Sequence, residues 1–194
     1  MREVTAPVLL GLAGRKRAGK DTVAWRLATW HGYHAIAFAD PLRAILLDVD
    51  PHLSTGMGVR ELVGRLGWDE VKDTHPEVRR LLQDLGQAVR DHLGEDMFVT
   101  VAMWRVAAAH ASGWPTVITD VRYPNELAAV RAAGGLVCWV DRPGLPDDGD
   151  RHPSETSLTA RDCDMVVVNG GTVDDLWVVV DNLAAAITKY DMVG

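Results

Sequence analysis

Apolar positions along the chain follow two rhythms. Short unbroken runs at Val8–Leu12, His34–Phe38, Thr116–Thr119, Leu136–Val140 and Met165–Val168 predict five strands. Several are continuous rather than alternating, as expected of strands covered by helices on both faces. Between them a 3.6-residue period predicts helices over Asp21–Trp30, Pro41–Leu47, Val59–Leu66, Glu77–His92, Met97–Ala111, Pro124–Ala133 and Val173–Lys189. Strands alternating with helices predict an α/β fold built on a mainly parallel sheet. The stretch from Asp40 to Ser112 carries no strand signal, so a helical insertion over about residues 41–112 is expected to form one wall of a cleft. Proline and glycine punctuate Asp50–Gly58 and Arg142–Pro153, which read as loops. No repeat or linker divides the chain, and residues 1–194 read as one domain.

Composition narrows the function classes. The chain has 194 residues, 47% of them hydrophobic and 24% charged, which gives a globular protein with a substantial core. A net charge of −7 argues against a non-specific nucleic-acid binder, which needs a basic stripe to displace counterions. No apolar run approaches the ~18–20 residues of a membrane span, and Pro7–Ala13 is too short for a signal peptide. The two cysteines, Cys138 and Cys163, lack metal-ligand spacing and read as reduced thiols. A soluble cytoplasmic protein with small partners is expected, its oligomeric state open between monomer and homodimer.

The strongest chemical signal is Gly14-Arg15-Lys16-Arg17-Ala18-Gly19-Lys20-Asp21-Thr22, a GxxxxGK loop preceded by a strand and followed by a helix. In such a loop the glycines let successive backbone N–H groups turn toward phosphate oxygens, and the lysine supplies charge to the β and γ groups. The following helix adds the positive end of its dipole to the same anion site. Asp21 stands where Ser or Thr usually follows the lysine, with Thr22 next. A carboxylate there suits Mg²⁺, a hard cation that prefers oxygen ligands. It equally suits a helix N-terminus.

The blocks GRKRAGKDT, FADPLR at Phe38–Arg43, RRLLQDLG at Arg79–Gly86, TDVRYPNE at Thr119–Glu126, VDRPG at Val140–Gly144, HPSE at His152–Glu155 and DMVVVNGGTVDDL at Asp164–Leu176 resemble the deoxynucleoside monophosphate kinases of bacteriophages. The resemblance spans nearly the whole chain, in the same order. A more distant similarity runs to animal-type phosphomevalonate kinases, in the GKD ending, a DxR block and a late SE pair. The resemblance to the phage kinases implies a P-loop fold in three α/β/α layers with a five-stranded, mainly parallel sheet, a helical substrate-binding insertion and a short lid over about residues 142–155. The implied reaction is ATP + dNMP = ADP + dNDP with Mg²⁺, on several bases.

Transfer onto a phosphate acceptor needs mostly positioning and charge neutralisation, so arginine forks are expected in the site. Gly14, Arg15, Arg17, Ala18, Gly19, Lys20, Asp21 and Thr22 of the loop, and Arg142, are expected on ATP, with Lys20, Asp21 and Arg142 the catalytic set. By resemblance, Asn169 and Gly170 line the adenine. Lys16, Asp40, Arg43, Arg79, Arg80, Gly86, Asp120, Arg122 and Glu126 are expected on the dNMP. Asp120, at the end of PTVITD, is a second candidate for the metal alongside Asp21, or a cap for the next helix. Asp40 could likewise cap the helix starting at Pro41. Arg151, His152 and Glu155 are expected to order the lid, which is unusually acidic for a kinase. Seven tryptophans are mostly packing residues; Trp104 and Trp139 could stack on a base, and nothing in the sequence singles out either.

Two other readings compete. One is a kinase of another small phosphorylated acceptor, such as phosphomevalonate, against which the continuous FADPLR and RRLLQ blocks speak. The other is a GTP-dependent binding switch. That needs an NKxD, and the nearest string, Thr188-Lys189-Tyr190-Asp191, lacks the Asn, while the DxxG at Asp91–Gly94 falls on a predicted helix.

Overall fold

A computed structural model describes residues 7–146, 149 and 151–191 of the chain. Five strands form one parallel sheet: β1 (Leu9–Ala13), β2 (His34–Ile36), β3 (Thr116–Ile118), β4 (Leu136–Asp141) and β5 (Met165–Val168). Their order is β2-β3-β1-β4-β5, every pairing is parallel, and β1 lies at the centre between β3 and β4. The central strands β1 and β3 are buried at every residue, whereas the edge strands β2 and β5 are only partly covered. An edge strand lacks a neighbour on one side, so a continuous apolar run does not guarantee burial there.

The chain divides into two compact units, one of Met1–Phe38 with Val99–Gly194 and the other of Ala39–Phe98. In the first, alternate side chains of the sheet feed two cores. Leu10, Leu12 and Val140 pack with Val23 and Leu27 of α1 (Lys20–His31) and Val180 and Ala184 of α8 (Val173–Asp191). Leu9, Ile118 and Val137 pack with Ala102 and Val106 of α5 (Met97–Ala111) and Leu127 and Val130 of α6 (Pro124–Ala132). Helices on both faces of a parallel sheet give the expected three layers. α5 was expected within the helical insertion. From Val99 onward it belongs instead with the sheet, because Ala102 and Val106 are buried against it.

The second unit comprises α2 (Asp40–Val49), α3 (Val59–Thr74) and α4 (Pro76–Leu93), closed around Leu46, Leu53, Val59, Leu62, Val71 and Val78. α3 runs past the expected end at Leu66 because Gly67 breaks the helix without ending it. Its φ of 77° and ψ of 163° insert a kink, and the helix resumes to bury Val71. A short α7 (Pro153–Thr156) and a 3₁₀ turn (Ala160–Asp162) complete the fold. Among the described residues no helix is long and apolar enough to cross a membrane.

Candidate functional site

The loop from Gly14 to Lys20 leaves the carboxyl end of β1 and enters α1. Two glycines set its path. At Gly14, with φ 139°, a Cβ would lie 2.5 Å from the Val140 carbonyl oxygen, so only glycine lets the loop pass β4. At Gly19, with φ 103°, a Cβ would lie 2.5 Å from the Asn169 amide nitrogen. That amide donates to the Ala18 carbonyl at 2.9 Å, tying the loop after β5 to the phosphate loop. Asn169 therefore braces the loop, while Gly170 sits beside Pro143.

Lys20 is buried, and its ammonium donates to the carbonyls of Gly14 at 2.8 Å and Arg15 at 2.9 Å, across the mouth of the loop. Burial pushes its pKa down to about 8, with repulsion from Arg122 adding to the effect; Glu155, Asp21 and Asp120 act in the opposite sense. A lysine held this way has exchanged water for backbone carbonyls and stands ready to exchange those for phosphate oxygens. Asp21, at the first turn of α1, is exposed.

The sheet edge supplies a second group. Asp120, buried after β3, accepts the Phe38 amide at 2.7 Å, joining the ends of β3 and β2. It is not the residue that precedes α6, which is Tyr123. Glu126 is buried, and its carboxylate accepts the backbone amides of Arg122 at 2.8 Å and Tyr123 at 3.1 Å. It shapes the turn that carries Arg122. Arg122, half-buried, pairs with Glu155 and donates to the Ser154 carbonyl at 3.3 Å. The other oxygen of Glu155 accepts the Lys16 backbone amide at 3.2 Å. Burial works against the charge of Arg122, but Glu155, Asp120 and Glu126 outweigh it and raise its pKa.

The segment read as a lid touches the loop at two further points. Arg15 donates to the carbonyls of Leu145 at 3.3 Å and Pro146 at 2.9 Å, and Arg142 donates to the Arg17 carbonyl at 3.3 Å. His152 precedes α7, its ring nitrogen accepting the Ser154 amide at 3.2 Å. Of the acids that gave the lid its acidic character, Asp141 ends β4, and Asp147, Asp148 and Asp150 lie outside the described residues. Arg15, Lys16, Arg17, Arg151, Glu155 and Trp139 are among the residues lining a cavity of about 400 Å³. The cavity singles out Trp139, which the sequence did not separate from Trp104; Trp104 is 72% exposed on α5.

The remaining candidates lie on the helical unit. Asp40 is the first residue of α2, after Ala39 at the N-cap, and pairs loosely with Arg43 at 3.6 Å. On α4, Arg79 faces Asp73 at 3.5 Å, and Arg80 is exposed. Gly86 allows close approach of α2, a Cβ there meeting a Leu42 methyl at 3.3 Å.

A parallel sheet in this order, with a glycine-shaped loop and a buried lysine after its central strand, defines the P-loop class of phosphate-binding α/β proteins. A dephospho-CoA kinase from Campylobacter jejuni shares the fold, with a TM-score of 0.51 over 94% of this chain and 98% of that one, at 12% identity. The deoxynucleotide monophosphate kinase family profile matches residues 66–180. A relative from Acanthamoeba polyphaga mimivirus bearing the same family name is 30% identical over 189 residues, 88% of this chain and 92% of that protein. The deoxynucleotide monophosphate kinase of Enterobacteria phage T4 is 32% identical over 107 residues, 54% of this chain but 44% of its own length. The chain belongs to the deoxynucleotide monophosphate kinase family.

Proposed function

We propose that the chain transfers the γ-phosphoryl group of ATP to deoxynucleoside monophosphates of several bases, in the cytoplasm where such precursors are made. An oxygen of the acceptor phosphate attacks the γ-phosphorus, the bond from that phosphorus to the β–γ bridging oxygen breaks, and ADP leaves. The observation that carries this reading is the pairing of two cationic groups beside one loop: Lys20 across its mouth and Arg122 at the adjoining sheet edge. Lys20 and the loop amides beyond Lys16 hold the donor phosphates, the Arg122 fork and the Lys16 amide hold the acceptor phosphate, and Arg142 and Arg15 keep the overlying segment in place. Trp139 offers a ring to a base in the adjoining cavity. Arg43, Arg79, Arg80 and Asp40 are acceptor contacts on the strength of family sequence.

The donor set also fits Mg²⁺. Among the described residues no three acidic, histidine or cysteine side chains form a cage, but Asp21 and Asp120 both act on Lys20, and this cation commonly takes one or two carboxylates plus phosphate oxygens and water. When bound it would neutralise charge on the β and γ oxygens. A panel of deoxy- and ribonucleoside monophosphates, run beside phosphomevalonate and followed by ADP release with and without Mg²⁺, tests the proposal. Turnover is expected with deoxynucleotides and Mg²⁺ only. Preference for phosphomevalonate would reassign the acceptor.

A further inference from the structure

A carboxylate sits where an anion site should be. Glu155 spans two elements with its two oxygens: one accepts the Lys16 backbone amide at 3.2 Å, and the other pairs with the Arg122 guanidinium. Its side chain is 9% exposed and lines the cavity otherwise rich in arginine and lysine. A loop amide and an arginine fork are the donors that a phosphate oxygen uses. Lys20 senses the same carboxylate, which counters the repulsion it suffers from Arg122. A carboxylate needed only to hold Arg122 in place would have no use for an amide of the phosphate loop. This one takes both, at the wall of an open cavity instead of inside a core.

We infer that Glu155 is a resident stand-in for a phosphate group, holding the seat of the acceptor phosphate in the ligand-free protein and leaving it when that phosphate binds. The exchange balances: one anion departs as another arrives, so the Lys16 amide keeps an acceptor and the repulsion between Lys20 and Arg122 stays countered before substrate comes. Phosphate, with more charge and more acceptor oxygens, makes stronger charge-assisted bonds to the same donors than a carboxylate does. Ligands with a weaker anion would fail to displace Glu155, which makes the residue a filter for phosphorylated acceptors. His152 fixes the turn before it through Ser154, so the side chain can leave without unfolding α7. The phosphate seat follows from these contacts alone; that its natural occupant is the phosphate of a deoxynucleotide rests on the proposed function.

Calorimetric titration of inorganic phosphate and of dTMP, without ATP or metal, separates the two. Glu155→Gln removes the competing charge while keeping the shape, and both ligands should bind about tenfold more tightly, since the seat is no longer closed by its own occupant. Glu155→Asp, one methylene shorter, should fall between Gln and wild type and serves alone if the Gln variant fails to fold. The Lys16 amide resonance should also shift in the ligand-free Gln variant. Unchanged or weaker phosphate binding in the variants would overturn the inference and make Glu155 a residue that positions Arg122. Tighter inorganic phosphate with no dTMP binding or turnover would leave Glu155 as the stand-in and remove the deoxynucleotide.

Discussion

The sheet unit and the helical unit both carry arginines, but they hold them differently. Around the phosphate loop the charged groups are locked to backbone and to one another: Lys20 to two carbonyls, Asp120 to the Phe38 amide, Glu126 to two amides, and Glu155 to Lys16 and Arg122. On the helical unit Arg43 and Arg79 meet acids at 3.6 and 3.5 Å, and Arg80 is exposed. A site built on hydrogen-bonded strand ends has its geometry paid for by folding. Long side chains on a helix surface give up rotamer freedom only when a ligand arrives.

That contrast sets the order of expected effects. Lys20→Ala should be the largest, because it removes the buried ammonium from the donor phosphates. A loss of about a hundred- to a thousandfold in kcat is expected, with the melting curve checking that the fold survives. Near-normal kcat would break the assignment of the loop. Arg79→Ala and Arg80→Ala should act on the KM for dNMP, by up to about tenfold for whichever contacts the acceptor, because an exposed arginine contributes less than a buried one. If neither shifts KM while kcat also holds, Arg79 and Arg80 of α4 take no part in acceptor binding.

The smallest effect belongs far from the loop. Asp181 of α8 takes a bidentate bond from Arg26 of α1 at 2.9 and 2.8 Å, and its oxygen lies 2.8 Å from His31. Arg26 first, and then His31, hold its carboxyl well below the usual carboxylate range. Its folded pKa is therefore lower than its unfolded value of about 3.9, so its contribution to stability is present above pH 4 and is lost as pH falls below it. Asp181→Asn should lower Tm by a few degrees at pH 7 and flatten the acid limb of a Tm profile, with kinetics untouched. An acid limb identical to wild type would show that the pair contributes nothing.

The sequence was most legible where the chemistry is local. GxxxxGK between a strand and a helix located Lys20, because its function depends on a few consecutive residues. The five strands were readable from their apolar runs and most helices from their period. Gly67 hid the second half of α3, since a kinked helix looks like a helix followed by a loop. The packing of α5 on the sheet was unreadable too, because an apolar face does not name its partner. The site was harder to read than the fold: Glu155 meeting Lys16 joins residues 139 positions apart, and Glu126 bonding to backbone leaves no mark that separates it from a ligand contact. Trp139 needed the cavity to distinguish it from Trp104.

The division of the site between Lys20 for the donor and Arg122 for the acceptor is tested most directly in the Arg122→Ala variant, by the KM for dNMP set against ATP affinity from calorimetry. Losing a charge-assisted fork costs about 1.5–3 kcal/mol, or roughly a ten- to hundredfold drop in kcat/KM for dNMP. The account predicts that loss with ATP affinity nearly unchanged. Collapse of ATP affinity with the KM for dNMP spared would contradict it and assign Arg122 to the donor.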